Sequence, residues 1–200
     1  YNNHFGVPLS LARLDKNANY GIFELGMNHS GELTQLSKMV RPDVAIITTV
    51  DLAHAEFFSS INEIARAKAE IFKGLQQGGT AILNRDNQQF ELLRDAALTA
   101  GAGQVIGFGV HNQSEFKVMD FDLNAEGSSV KVCCDNIDFS YDLSMPGKHW
   151  VQNSLAVLAA VNAVGADMIE AAKSFVNIKP FKGRGQFHTI PIQDGCFELI

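Results

Sequence analysis

Residues 43–84 read DVAIITTVDLAHAEFFSSINEIARAKAEIFKGLQQGGTAILN. Two short apolar runs, 43–50 and 79–84, flank a segment whose apolar residues recur as Ile61, Ile64/Ala65, Ile71/Phe72 and Leu75. The runs have the length and composition of strands covered on both faces. The middle segment has the i, i+3, i+4, i+7 spacing of a helix lying on a core. Strand, helix and strand in that order predict a parallel pair joined by a helical crossover. Lys68 falls within the apolar stripe, while Arg66 and Lys73 project from its sides. An ammonium on the buried side of a helix needs a partner, a route to water, or a chemical role.

The same alternation extends in both directions. YGIFEL (20–25) and QVIGFG (104–109) read as further buried strands, and 31–40, 61–76 and 86–100 read as helices. The expected fold is an α/β domain, a mostly parallel sheet with helices on both faces. The pattern changes after Gly109. FKVMDFDLNAEGSSVKVCCDNIDFSYDL (116–143) alternates apolar and polar residues around EGSS, which predicts an antiparallel hairpin at a sheet edge. Helices are expected again over 153–166 and 167–178, then a Gly-rich loop, PFKGRGQF (180–187), and a final strand.

Bulk properties narrow the function. With 200 residues, 46% hydrophobic and 19% charged, the chain is long enough for one large domain or for one domain with a small appendage. Its net charge of −6 and lack of a basic run argue against a nucleic-acid surface. No apolar stretch approaches the roughly 20 residues of a membrane span, and the first residues, without a basic n-region and apolar h-region, are not expected to be a signal peptide. Cys133 and Cys134 are adjacent and Cys196 is distant. Three thiols without CxxC spacing are expected to be reduced, in a cytoplasmic protein. The start at Tyr1 and the end within FELI suggest a piece of a longer chain. GFGVHN (107–112) follows a strand but has Asn112 where a dinucleotide fingerprint needs its third glycine, so a dehydrogenase is disfavoured.

Ligands of open α/β sheets gather at the carboxyl ends of the strands. The run 20–25 leads to Glu24 and ELGMNHSGE; the run 43–50 leads to Thr48, Thr49 and His54; the run 79–84 leads to Asn84, Asp86 and Asn87. Together with Lys68 they set a carboxylate, an imidazole and an amine near one sheet edge. Taken singly, each has a plain alternative: Glu24 as a loop carboxylate, His54 as a hydrogen-bonded loop residue, Lys68 as a side chain reaching out to water. Lys179, Lys182 and Arg184 read equally well as a solvated loop.

The combination is more specific than its parts. YNNHFGVPLSLARL, ELGMNHSGE, RPDVAIITTVDLAHAEFF, ARAKAEIF, AILNRDN, MPGKHWVQNSLAVLAAV and KGRG follow one another in a way that resembles the Mur ligase central domain over essentially the whole chain. The resemblance implies a P-loop NTPase-like fold and a carbamylated lysine at Lys68. It implies Mg²⁺ held by Glu24, His54 and the Lys68 carbamate, and ATP contacted by Asn153 and Arg184, with Asn84 grouped on the nucleotide side. Asn2 and Asn3 match a segment near the reacting substrate carboxylate. ELGMNHSGE with AKAEIF points to the branch whose substrates are UDP-N-acetylmuramoyl-tripeptide and D-alanyl-D-alanine. That branch joins them through an acyl phosphate, and a monomer is expected.

The implied division is a central domain over 1–185 and a linker into a following domain over 186–200. The phosphate-binding loop G-x-x-x-x-G-K-[ST] is not in the chain and is expected upstream of YNNHFGVP. Many relatives have HNxxN where this chain has His149-Trp150-Val151-Gln152-Asn153, which keeps only the second asparagine. Two rivals stand beside this reading. One is a ligase of the same superfamily that adds a single amino acid or extends a folate tail. The other is a non-catalytic nucleotide-binding domain.

Overall fold

A parallel sheet needs both faces covered, and the strands found here are apolar on both sides. The computed structural model describes residues 2–52, 57–124 and 127–178, and the backbone of 188–192 and 195–199. Strands β1 (Val44–Ile47), β2 (Thr80–Asn84) and β3 (Gln104–Gly109) run parallel, with Val44 opposite Thr80 and Thr80 opposite Gln104. Strand β4 (Phe116–Asn124) joins β3 in parallel, then turns the sheet antiparallel through β5 (Gly127–Cys134) and β6 (Ile137–Leu143). The order is β1-β2-β3-β4-β5-β6. The β5–β6 turn is Asp135–Asn136, both at positive φ (49° and 65°), the backbone of a type I′ hairpin.

Helices α1 (Gly6–Ala12) and α2 (Glu32–Val40) precede β1. Helix α3 (Ile61–Ala69) crosses from β1 to β2 and α4 (Phe90–Thr99) from β2 to β3; α5 (Lys148–Ala163) and α6 (Met168–Ser174) follow the hairpin. The sheet sorts its alternate residues between two cores. Ala81 and Leu83 join Ile64, Ala65, Phe72 and Leu93 on the α3/α4 face. Ile82 joins Phe108, Val132, Leu155 and Leu158 on the α5/α6 face. A third cluster, Val7, Leu33 and Leu36, lies between α1 and α2. No helix among the described residues is long and apolar enough to cross a membrane. A separate two-stranded sheet, β7 (His188–Ile192) with β8 (Gly195–Leu199), follows.

Four expectations are corrected. Residues 20–25 form no strand: Tyr20 is 60% and Ile22 97% exposed, and no described strand lies beside them to complete a ladder. Strand-forming side chains do not make a strand without a partner. The helix expected over 86–100 starts only at Phe90, because residues 85–89 form a turn held by side-chain hydrogen bonds. The helix expected from 153 starts at Lys148, behind Gly147. The 61–76 helix ends at Ala69 and tightens into a 3-10 turn over Glu70–Gly74. Helix α1 was not foreseen from the apolar spacing.

Candidate active site

Helix α3 begins with a cap read directly from SSINE. The Ser60 hydroxyl accepts from the Glu63 amide at 3.2 Å, and Glu63 accepts from the amide and hydroxyl of Ser59 at 2.8 and 2.7 Å. These bonds hold the Glu63 carboxyl below its usual range, the Ser59 hydroxyl foremost. The cap fixes the helix phase, and Lys68 emerges two turns later at the edge of the apolar stripe. Lys68 is half-buried and has no hydrogen bond or ion pair with a described residue. Burial alone lowers its pKa from the usual lysine value.

Two residues further on, Glu70 reaches across to α2. Its carboxylate accepts from the amide of Gly31 at 2.7 Å, and from the amide and hydroxyl of Thr34 at 3.3 and 3.1 Å. A carboxylate at a helix N-terminus satisfies free amides and suits the helix dipole. Glu32 turns back to accept from the Asn28 amide at 2.8 Å, which lowers its pKa. The ELGMNHSGE and AKAEIF segments, far apart in sequence, are thus one hydrogen-bonded unit.

Glu24 is exposed, in an irregular segment rather than at the end of a strand. It accepts from the Asn2 amide group at 2.9 Å, and the Asn2 carbonyl accepts from the Gly26 amide at 2.7 Å. A Cβ on Gly26 would lie 2.9 Å from the Asn2 side chain, so this glycine admits Asn2 to Glu24. Asn2 and Glu24 line a cleft of about 200 Å³ with Val7, Ser10, Ile22 and Phe23. Asn3 works locally: its side-chain oxygen accepts from the amides of Phe5 (3.2 Å) and Gly6 (2.9 Å) and starts α1.

At the carboxyl ends of the parallel strands, NRDN (84–87) is a set of staples. Asn84, only 4% exposed, donates to the Thr48 carbonyl at 3.0 Å and accepts from the Asp86 amide at 2.9 Å. Asn87 accepts from the Val50 amide at 3.1 Å and donates to its carbonyl at 3.3 Å. Both ends of the Asn84 amide group are therefore engaged within the protein, and one of its two N–H donors is left over. Asp86 accepts from the amides of Val110 and His111 and from the Gln152 side chain. Asn153 is half-buried on α5, next to Gln152. His54 and Arg184 lie outside the described residues. Sequence reasoning missed Glu70 as a link and Asp86 as a hub, because each acts on backbone amides far along the chain.

Comparison with known proteins places this arrangement. UDP-N-acetylmuramoyl-tripeptide--D-alanyl-D-alanine ligase of Escherichia coli is 32% identical over 92% of this chain and 40% of its own length. The ligase of the same name from Rickettsia prowazekii is 30% identical over 95% of this chain and 42% of its own. The chain thus spans about two fifths of the length of these curated relatives. A crystal structure of MurF from Acinetobacter baumannii superposes with a TM-score of 0.89 at 29% identity, covering 98% of this chain and 42% of that one. The model of the Mur ligase middle domain matches residues 1–161. This chain, with its Glu70-linked motifs and its lysine on the crossover helix, belongs to the Mur ligase family and carries that family's middle domain.

Proposed function

We propose that the chain is the central, nucleotide-binding part of an ATP-dependent ligase joining D-alanyl-D-alanine to UDP-N-acetylmuramoyl-tripeptide, a cytoplasmic and monomeric enzyme of peptidoglycan precursor assembly. The observation that carries this reading is the Glu70 link, which holds the segment beyond Glu24 against the helix that bears Lys68. The two motifs that separate this branch from its relatives are physically coupled. The ligases named above, at about 30% identity, support the same assignment.

The chemistry sets a problem of charge. A substrate carboxylate must approach the γ-phosphate of ATP, anion against anion, before the dipeptide amine attacks the acyl phosphate and forms the amide. Bound Mg²⁺ supplies the positive charge that offsets this repulsion. Among the described residues no cluster of three or more His, Cys, Asp or Glu forms such a site. Lys68 can add an anionic oxygen donor of its own. Its half-buried amine, with a lowered pKa and no described partner, is suited to add to carbon dioxide in the neutral form. The N–C bond forms as one C–O π bond of carbon dioxide opens, one proton leaves the nitrogen, and the neutral amine becomes a carbamate anion with two oxygens. The carbamate and Glu24 oxygens suit a hard, oxygen-seeking cation, and His54 joins them on the family resemblance. Asn2 orients Glu24, while Asn153 and Arg184 serve the purine and the phosphates. Asn84, which holds the loop after β2, stands with them on the nucleotide side.

The test uses the complete enzyme with Mg-ATP and UDP-N-acetylmuramoyl-tripeptide, following phosphate release as D-alanyl-D-alanine, D-glutamate or diaminopimelate is added. Release with the dipeptide alone is expected. Release with a single amino acid would move the protein to another step of the same family. Silence with every acceptor would leave a binding domain.

A further inference from the structure

We infer that Asp86 and Gln152 form a clamp that positions the nucleotide-side face of α5, making both of them positioning residues for the ligase reaction. The inference rests on the nucleotide-binding reading above and adds to it two residues that the reading does not use.

Asp86 follows β2, and its carboxylate meets two other elements. Its Oδ1 accepts from the His111 amide at 2.9 Å and the Val110 amide at 3.1 Å; its Oδ2 accepts from Val110 at 3.0 Å and from Gln152 Nε2 at 3.0 Å. One side chain thus joins the end of β2, the loop after β3 and the first turns of α5. The backbone is shaped for it. Gly109 stands at φ +141°, and a Cβ there would lie 2.5 Å from the Asp86 carboxylate.

Val151 and Trp150 pack the start of α5 into the core, and on the opposite side few other hydrogen bonds among the described residues fix it. Its N-cap is Gly147, at φ +125°, with no side-chain capping bond. Further along, Ser154 bonds Tyr141 at 2.6 Å and anchors the helix to β6 on its buried side. Toward the carboxyl ends of β2 and β3, Gln152 is the α5 side chain that reaches across. Asn153 is the next residue, so a shift of the first turns moves it as well. Asn84 and Asn87 tie the same loop to the end of β1. The ends of three strands and the start of one helix are therefore referenced to a single turn, NRDN.

The geometry suggests a donor–acceptor exchange as the test, in the complete enzyme. Gln152→Glu sets a carboxylate against Asp86 and removes the donor. We expect the Kd for ADP and the KM for ATP to rise about tenfold, the scale of losing one charge-assisted hydrogen bond. The KM for D-alanyl-D-alanine should stay unchanged, a split that general destabilisation would not produce. The double variant Asp86→Asn/Gln152→Glu reverses donor and acceptor while keeping an oxygen for the two backbone amides. It should return ADP binding to within about twofold of the parent. Should Gln152→Glu fold poorly, Gln152→Ala removes the bond without adding charge and should still weaken ADP binding about threefold. Unchanged ADP affinity in a folded Gln152 variant overturns the clamp, as does a double variant no better than Gln152→Glu. If the parent enzyme itself binds no ADP, the nucleotide-site reading fails and the clamp fails with it.

Discussion

Lys68 is a cation that its own helix half buries and that no described residue neutralises. Ordinary lysines at such an edge extend their ammonium into water and keep their pKa, yet this one is lowered by burial. A neutral amine is more readily available here than at an exposed lysine, and that is the state that takes up carbon dioxide. Replacing Lys68 with Ala leaves a good helix former in the last turn of α3, so the fold should survive. The complete enzyme carrying Lys68→Ala should lose turnover by about a hundredfold or more, as expected for loss of an anion that organises a metal-assisted transfer. Carbon-13 NMR in labelled bicarbonate should show a carbamate signal in the parent and none in the variant. An active variant at normal bicarbonate, or an unchanged carbamate signal, would reject this role. Glu24 differs in kind: it is exposed, and its placement depends on Asn2 and on Gly26 having no Cβ.

At the scale of elements, the link between α2 and the turn after α3 sets how closely the two site motifs approach. The turn Glu70–Gly74 lies backbone against backbone on α2: a Cβ on Gly74 would fall 2.1 Å from the Ser37 carbonyl group. The Ser37 hydroxyl in turn donates to the Ile71 carbonyl. Because the obstacle is main chain, no rotamer change relieves it. Gly74→Ala should cost about 3 kcal/mol or more of stability, read as a lowered denaturation midpoint, and should weaken activity through Lys68 and Glu24 together. A fully stable Gly74→Ala protein would mean the two elements are not so tightly packed.

The elements also differ in how far the sequence disclosed them. Strands β1, β2 and β3 were legible because burial on both faces leaves continuous apolar runs, and α3 because its stripe repeats with helical spacing. Residues 20–25 carried the same composition and misled, since a strand is a property of a pair and nothing described in this chain pairs with them. Lys68 was legible as a charge out of place in a stripe. The bonds of Asp86, Gln152 and Glu70 were not, because hydrogen bonds between groups far apart along the chain leave no periodicity to read.

At the scale of the whole molecule, the antiparallel edge is what carries α5 onto the parallel half of the sheet, with α6 against β6. The core beneath them contains two ionisable groups with no room for charge. Cys134 has no exposure and Tyr141 only 7%. Burial pushes the Cys134 thiol up to about 12 and moves the Tyr141 phenol above its usual value. Both groups stay protonated in the folded state at pH values where the unfolded chain begins to lose those protons. Their contribution is therefore complete below the unfolded thiol value of 9.0 and is lost as pH rises toward about 12. At about 1.4 kcal/mol per pKa unit, the thiol shift alone sets a ceiling of ~4 kcal/mol. The urea midpoint of the protein should be level from neutral pH to about 9 and then fall steeply. In Cys134→Ala/Tyr141→Phe, which keeps the ring and removes both titrating protons, that alkaline fall should become shallower even though the neutral midpoint is lower. An equally steep fall in the double variant would assign the alkaline loss to groups outside this core. A shallower one would show that the seam between the hairpin and α5, the same helix that carries Gln152 and Asn153, is where the molecule first yields to base.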